Sequence, residues 1–174
     1  MLEASFFQLD ILPYLEVDQK LRVKEITLED DLHSLVLEIN HASWDENNEM
    51  AVYDYHSLKK YLERADTIFM VCHEVVEQGA VLLGIASSRI QMKPYGMELW
   101  LYVDEVDVCA NQRNRGAGTL IMQTLIETAK KRGCEEVWLG AEIDNVPANA
   151  LYRSLAPDEV AQVIGYTYET DEQS

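Results

Sequence analysis

The segment from Met97 to Arg132 constrains the fold more than any other part of the chain. Its first part is an extended apolar run in which Leu99, Leu101 and Val103 share one parity and Val106 and Val108 share the other. The apolar phase therefore slips by one residue around Asp104-Glu105. One extra unpaired residue, a β-bulge, produces such a slip. A strand buried on both faces is the alternative, because parity then carries no information. A turn follows, Arg113-Asn114-Arg115-Gly116-Ala117-Gly118, and then the clearest helix of the chain, Gly116 to Arg132. Leu120, Ile121, Leu125, Ile126 and Ala129 form its apolar stripe. Lys130, Lys131 and Arg132 complement the helix dipole at its C-terminus, and Gly133 supplies the C′ position. A strand feeding a glycine-bearing turn and a long amphipathic helix is a building block of an α/β fold.

The remaining elements extend that block. Leu21 to Ile26 alternates as a short strand. Thr27-x-x-Asp30 is expected to cap a helix carrying Leu28, Leu32, Leu35, Val36 and Ile39 at helical spacing. His41 to Tyr53 reads as loop, and Tyr55 to Arg64 as a second helix. Thr67–Val76 and Ala80–Gln91 read as strands joined by a hairpin at Glu77-Gln78-Gly79. After the long helix, Glu136 to Ile143 alternates, with Val137, Leu139, Ala141 and Ile143 on one face. Asn145 to Leu155 suits a short helix and Val160 to Glu169 a last strand. The expected fold is α/β: a mixed, strongly twisted sheet of six or seven strands flanked by about four helices. Residues 21–174 are expected to form one domain. Residues 1–20 read separately, because Pro13 interrupts an otherwise apolar stretch. A packed arm, a homodimer contact and coil all remain open for them.

Charge narrows the partners. Acids outnumber Lys plus Arg by 31 to 14, a net charge of −17. Such a chain repels phosphate backbones and anionic membranes and attracts small cations, so no nucleic acid or membrane partner is expected. Three cysteines, Cys72, Cys109 and Cys134, make no disulfide framework. No apolar run approaches the roughly 18 residues of a membrane span. No basic residue precedes Lys20, and Glu3 and Asp10 interrupt the N-terminal apolar stretch, so a signal peptide is not expected. A cytoplasmic location is the expectation. His33, His41, His56 and His73 lack metal-ligand spacing, and no metal is expected. Cys109 has no paired base that would mark it as a nucleophile.

The Arg113–Gly118 turn points to an anion. Glycines allow close approach of a ligand to the backbone, and the first N–H groups of the helix point outward with partial positive charge. Arg113 and Arg115 add full charges. A dinucleotide-binding turn would require three glycines after the first strand and an acid about 20 residues on, which this chain lacks. Downstream stands Asn145-Val146-Pro147-Ala148-Asn149-Ala150-Leu151-Tyr152. The two segments together resemble the GNAT acetyltransferase superfamily, whose phosphate loop is Arg/Gln-x-x-Gly-x-Gly/Ala and whose second motif is Asn-x-x-Ala-x-x-Leu-Tyr. The resemblance runs from about Glu98 to Leu155. The tail after Leu151-Tyr152, together with Leu101-Tyr102-Val103-Asp104-Glu105, bears a weaker likeness to the aminoglycoside 3-N-acetyltransferase branch.

The resemblance implies acetyl-CoA as co-substrate, lying where the sheet splays beside Val106 and Val108. Its pyrophosphate would rest on Arg113, Asn114, Arg115, Gly116, Ala117, Gly118 and Thr119. Its pantetheine arm would pair with the backbone of Val106 and Val108, with Asn145 and Ala148 on the other side. The implied reaction is direct acetyl transfer to a primary amine of a small molecule. Glu105 is the first candidate for the base that deprotonates the ammonium, and Asp107 the second, on the expectation that only one of them faces the acceptor. The Val106 N–H, freed by the bulge, would stabilise the oxyanion, and Tyr152 would protonate the departing thiolate. Trp44, Tyr53 and Tyr55 lie where the family builds its acceptor pocket. A polycationic acceptor of the aminoglycoside or polyamine kind fits the charge. A protein N-terminus or lysine as acceptor, or a non-catalytic acyl-CoA-binding module, are the other readings.

Overall fold

A computed structural model describes residues 20–45, 51–168 and 170. The described residues form one five-stranded sheet in the order β1-β2-β3-β4-β5. The strands are β1 (Leu21–Glu25), β2 (Thr67–Val76), β3 (Gly79–Met92), β4 (Leu99–Val108) and β5 (Cys134–Leu139). The first four run antiparallel in sequence, and β5 lies parallel to β4. The helices are α1 (Leu32–His41), α2 (Tyr55–Leu62), α3 (Ala117–Lys131) and α4 (Val146–Ser154). The mixed α/β architecture is as expected, with fewer strands than the six or seven predicted. Of the N-terminal arm, all but Lys20 lies outside the described residues.

Two apolar clusters hold the sheet from opposite faces. On one, Ile121, Met122, Leu125 and Ala129 of α3 pack on Ile68, Met70, Leu83, Leu101 and Val103. On the other, Leu32, Leu35, Val36 and Ile39 of α1 and Leu58 of α2 pack on Phe69, Val71, Leu82 and Ile85. This second cluster draws no residue from β4 or β5. α1 and α2 therefore cover the β1–β3 half of their face.

Three boundaries differ from the sequence reading. The first helix begins at Leu32, not after Thr27. Asp31 is its N-cap, accepting from the Ser34 N–H at 3.0 Å. Asp30 instead closes a turn by accepting from the Thr27 N–H at 2.9 Å and pairing with Lys24. Its carboxyl is held below the usual range chiefly by the Lys24 hydrogen bond. Leu28, half exposed, belongs to that turn. Strand β5 starts at Cys134 and ends at Leu139, so Ala141 and Ile143 are not in it. Residues 160–168 form no strand, and Val160, Val163, Ile164, Tyr166 and Tyr168 are all exposed. Alternation makes a strand only where an edge is in reach. Here a left-handed Ala156 (φ 52) and Pro157 follow the helix; Glu169 lies outside the described residues.

The bulge is present. Ser88 of β3 stands opposite Val103 and Ser87 opposite Glu105, leaving Asp104 as the extra residue of β4. The splay is present too. β4 and β5 pair only up to Val103 and Leu139, so residues 104–108 have β3 on one side and, among the described residues, no strand on the other.

Candidate functional site

The splay opens a cleft of about 1170 Å³. Its floor is the last half of β4, its walls are the first turn of α3 and the Leu139–Ala148 segment, and its far end reaches Trp44, Tyr53 and Tyr61. It brings together the residues that the sequence reading selected, except Arg115 and Tyr55. Glu105, Val106, Asp107 and Val108 line it from β4. Arg113, Asn114, Gly116, Ala117, Gly118 and Thr119 line it from the turn and α3. Asn145, Ala148 and Tyr152 line it from α4 and its cap.

The α3 terminus differs from its counterparts. Asp31, Asp54 and Asn145 each place a side-chain oxygen on a first-turn N–H of α1, α2 and α4. Gly116, the N-cap of α3, adopts φ 86 and offers no side chain. The first N–H groups of a 15-residue helix are thus left without a side-chain cap at the cleft wall. Asn114 is left-handed as well (φ 60). Gly118 lines the cleft and is also closely packed. A Cβ there would stand 2.9 Å from Leu151 Cδ2, so the bare position lets α4 close on α3.

The arginines are already engaged. Arg113 donates to Asp45 at 2.6 Å, joining the turn to the segment after α1. Arg115 points away from the cleft to Glu74 of β2 and to Gln112. The helix terminus, with Arg113 beside it, is what remains to meet an anion.

The opposite wall is acidic. Asp45, Asp54, Asp104, Glu105, Asp107, Glu142 and Asp144 line the cleft, against Arg113 alone among the basic residues. Glu105 and Asp107 both line it, which corrects the expectation that only one would face inward. Residues two apart on a strand share a face. Glu105 accepts from the Ser87 hydroxyl at 3.4 Å. Desolvation, then the neighbouring charge of Asp107, push its carboxyl above the usual carboxylate range. Desolvation, then Asp107, also raise the Tyr152 phenol. Burial, then Glu105 and Asp107, raise that of Tyr53.

Ser87, Tyr61 and Asp45 were missed by the sequence reading. Tyr61 is pushed to about 12 mainly by burial. Its hydroxyl donates to the Ser88 carbonyl at 2.8 Å and accepts from the Ser88 N–H at 3.1 Å, beside the register shift. Spacing carries no signal for a contact 27 residues apart, nor for the Asp45–Arg113 pair across 68. Tyr55 stacks on His33 at 3.8 Å instead of entering the cleft. Cys109 is buried, its thiol donates to the Leu82 carbonyl, and burial pushes it up to about 11. His73 pairs with Glu38. Among the described residues, no group of three His, Cys, Asp or Glu side chains could hold a metal ion.

The fold defined by this split sheet is that of known acetyltransferases. It is similar to the crystal structure of an aminoglycoside acetyltransferase from an uncultured soil metagenomic sample in complex with trehalose. The TM-score is 0.74 at 22% identity, over 90% of this chain and 100% of that one. A complex of an aminoglycoside acetyltransferase from the same kind of sample with sisomicin gives a TM-score of 0.73 at 21% identity, with the same coverage. The ribosomal-protein-alanine N-acetyltransferase of Brucella melitensis biovar Abortus 2308 gives 0.65 at 16%, over 86% of this chain and 99% of that one. Residues 30–156 match the profile of the Acetyltransferase (GNAT) family, and the chain belongs to it. No curated protein matches the chain in sequence.

Proposed function

We propose that the protein transfers the acetyl group of acetyl-CoA to a primary amine of a small polycationic molecule, of the aminoglycoside or polyamine kind. The cleft's charge carries this reading. Seven carboxylates line the cleft with one arginine; Asp45 pairs with that arginine and Asp104 with Arg89, and the lining still carries an excess of negative charge. An anionic or neutral acceptor gains nothing from such a wall, whereas each ammonium of a polycation finds a counter-charge. Aminoglycoside acetyltransferases among the structural neighbours support it.

The residues present fit acetyl-CoA, which supplies an activated acetyl thioester. The uncapped α3 terminus at Gly116–Thr119, with Arg113, suits a pyrophosphate. Val106 and Val108, on the β4 edge that β5 leaves open, offer backbone partners to an extended amide chain. The Val106 N–H would serve the oxyanion, freed on this edge by strand divergence as much as by the bulge. Asn145 already caps α4 through its Oδ1 at 3.1 Å from the Ala148 N–H, so its remaining amide hydrogens are what it would contribute.

Glu105 takes the proton of the acceptor ammonium, directly or through water, with Asp107 beside it as a second counter-charge. Its raised pKa brings it closer to the amine's, as general-base catalysis favours. Tyr152 holds at its hydroxyl the proton that the leaving group requires. The test is an acetylation screen against aminoglycosides, polyamines, amino acids and short peptides, with products identified by mass spectrometry. Acetylated polyamine or aminoglycoside is expected. Acetylation of peptides alone would reassign the acceptor to a protein.

A further inference from the structure

We propose that Trp100, Tyr102 and Trp138 form a ring-stacking subsite that takes a sugar-like ring of the acceptor and favours ringed over linear polyamines. The inference rests on the reading of the adjoining cleft as an amine-acceptor site.

Register places the cluster beside Glu105. Tyr102 stands between Arg89 of β3 and Trp138 of β5, and Trp100 between Gln91 and Glu136. Ser87 and Arg89 share one face of β3. Ser87 reaches Glu105, and Arg89 reaches Asp104 at 2.9 Å. Glu105, Asp104, Tyr102 and Trp138 therefore occupy one face of the sheet. It is the face that α1 and α2 cover only over β1–β3, so its β4–β5 half carries no helix among the described residues. Asp104 is the extra residue of the bulge, so the Tyr102 row lies two β3 residues from Glu105 (Arg89 to Ser87), about 7 Å at roughly 3.3 Å per residue. An acceptor of linked rings spans that interval with an amine at one end.

The rings are arranged as a surface. Trp100 and Tyr102 have centroids 6.1 Å apart with planes at 27°, and Tyr102 and Trp138 lie 5.7 Å apart at 48°. Lys93 places its ammonium 3.6 Å from the Trp100 centroid and also bonds the Tyr102 hydroxyl, which fixes these two rings. Trp138 is the outer member and is 41% exposed. Its ring lies over Gly140, where a Cβ would stand 3.5 Å from Cη2. Gly140, Leu139 and Asp104 all line the cleft, so the surface and the cleft are continuous. Packing alone accounts poorly for the cluster. It leaves much of an indole in water and the Trp100 Nε1 buried without an acceptor. The C–H face of a sugar or aminocyclitol ring stacks on an indole, and its ammonium groups then fall beside Asp104 and Glu105.

Calorimetry of the full chain with sisomicin and with spermine tests this, because binding needs no acetyl donor. Trp138→Ala is expected to weaken sisomicin about threefold to tenfold, the size of one aromatic contact, and to leave spermine unchanged. Trp138→Phe, which keeps a ring, should recover most of the loss. A thermal melt confirms that each variant is folded, and the Phe variant carries the test if the Ala variant is not. Equal loss for both ligands, loss for neither, or no binding of sisomicin by the wild type overturns the subsite. A parallel turnover assay separates the two claims. Trp138-dependent binding without acetylation leaves the subsite standing and removes the acetyl-transfer reading.

Discussion

Gly84→Ala tests the geometry of the cleft floor. Gly84 of β3 faces Val108 of β4. A Cβ there would lie 2.6 Å from the Asp107 carbonyl oxygen, 3.2 Å from Ile121 Cδ1 and 3.4 Å from Val108 Cα. The first of these is backbone and cannot rotate away. The second, on α3, closes the opposite direction. β4 must therefore move by several tenths of an ångström at Asp107–Val108. Overpacking of this kind costs about 1–3 kcal/mol, and a backbone oxygen at 2.6 Å puts Gly84 near the upper end. The lower entropy of the unfolded alanine chain offsets about 0.4–1 kcal/mol. A net loss of about 1–2.5 kcal/mol follows, which at roughly 2–4 °C per kcal/mol lowers Tm by about 2–10 °C. Gly165→Ala is the control, since nothing lies within 4 Å of its Cβ. Differential scanning calorimetry reads both. An unchanged Tm for Gly84→Ala would refute the close approach of β3 and β4 at the cleft, and with it the placement of Val108.

Two further substitutions address the chemistry. Glu105→Gln should lower kcat by about 10²–10⁴-fold at neutral pH, with partial recovery at high pH where solvent supplies more free amine. Its stability should move the other way. A carboxyl whose folded pKa is raised destabilises the fold as pH rises through its titration, so the neutral glutamine should give a Tm no lower than wild type at pH 8; a clear drop in Tm would show that Glu105 is structural. Tyr152→Phe should lower kcat within or near the same range while Tm and acetyl-CoA affinity hold, and stopped assays with calorimetry would show whether the hydroxyl or the ring matters.

Much of this site was legible in the sequence because it is local. The phase slip between Val103 and Val106 pointed to the bulge, and the register of β3 against β4 bears it out over the alternative of a strand buried on both faces. The Arg113–Gly118 turn and the Asn145–Tyr152 motif are short local segments, and it was their resemblance to the two family motifs that pointed to the cleft, which all of their candidate site residues but Arg115 line. What was not legible depends on long-range pairing. Arg113 and Arg115 read as anion ligands, but spacing gave no sign of their ion pairs with Asp45 and Glu74. Nor did it show that Leu151 of α4 seats against Gly118. Val160–Tyr168 has the alternation of a strand, but pattern cannot supply an edge for it to join.

Selection of polycationic amines by the acidic cleft is open to direct measurement. Steady-state kcat/KM for spermine, with its four amines, against a monoamine of similar length tests it most directly, at low salt and again with added sodium chloride. A large preference for spermine that shrinks as salt rises is expected, because charges exposed at an open cleft are screened over about 8–10 Å near physiological ionic strength. Equal kcat/KM for the two amines, or a preference indifferent to salt, would contradict it.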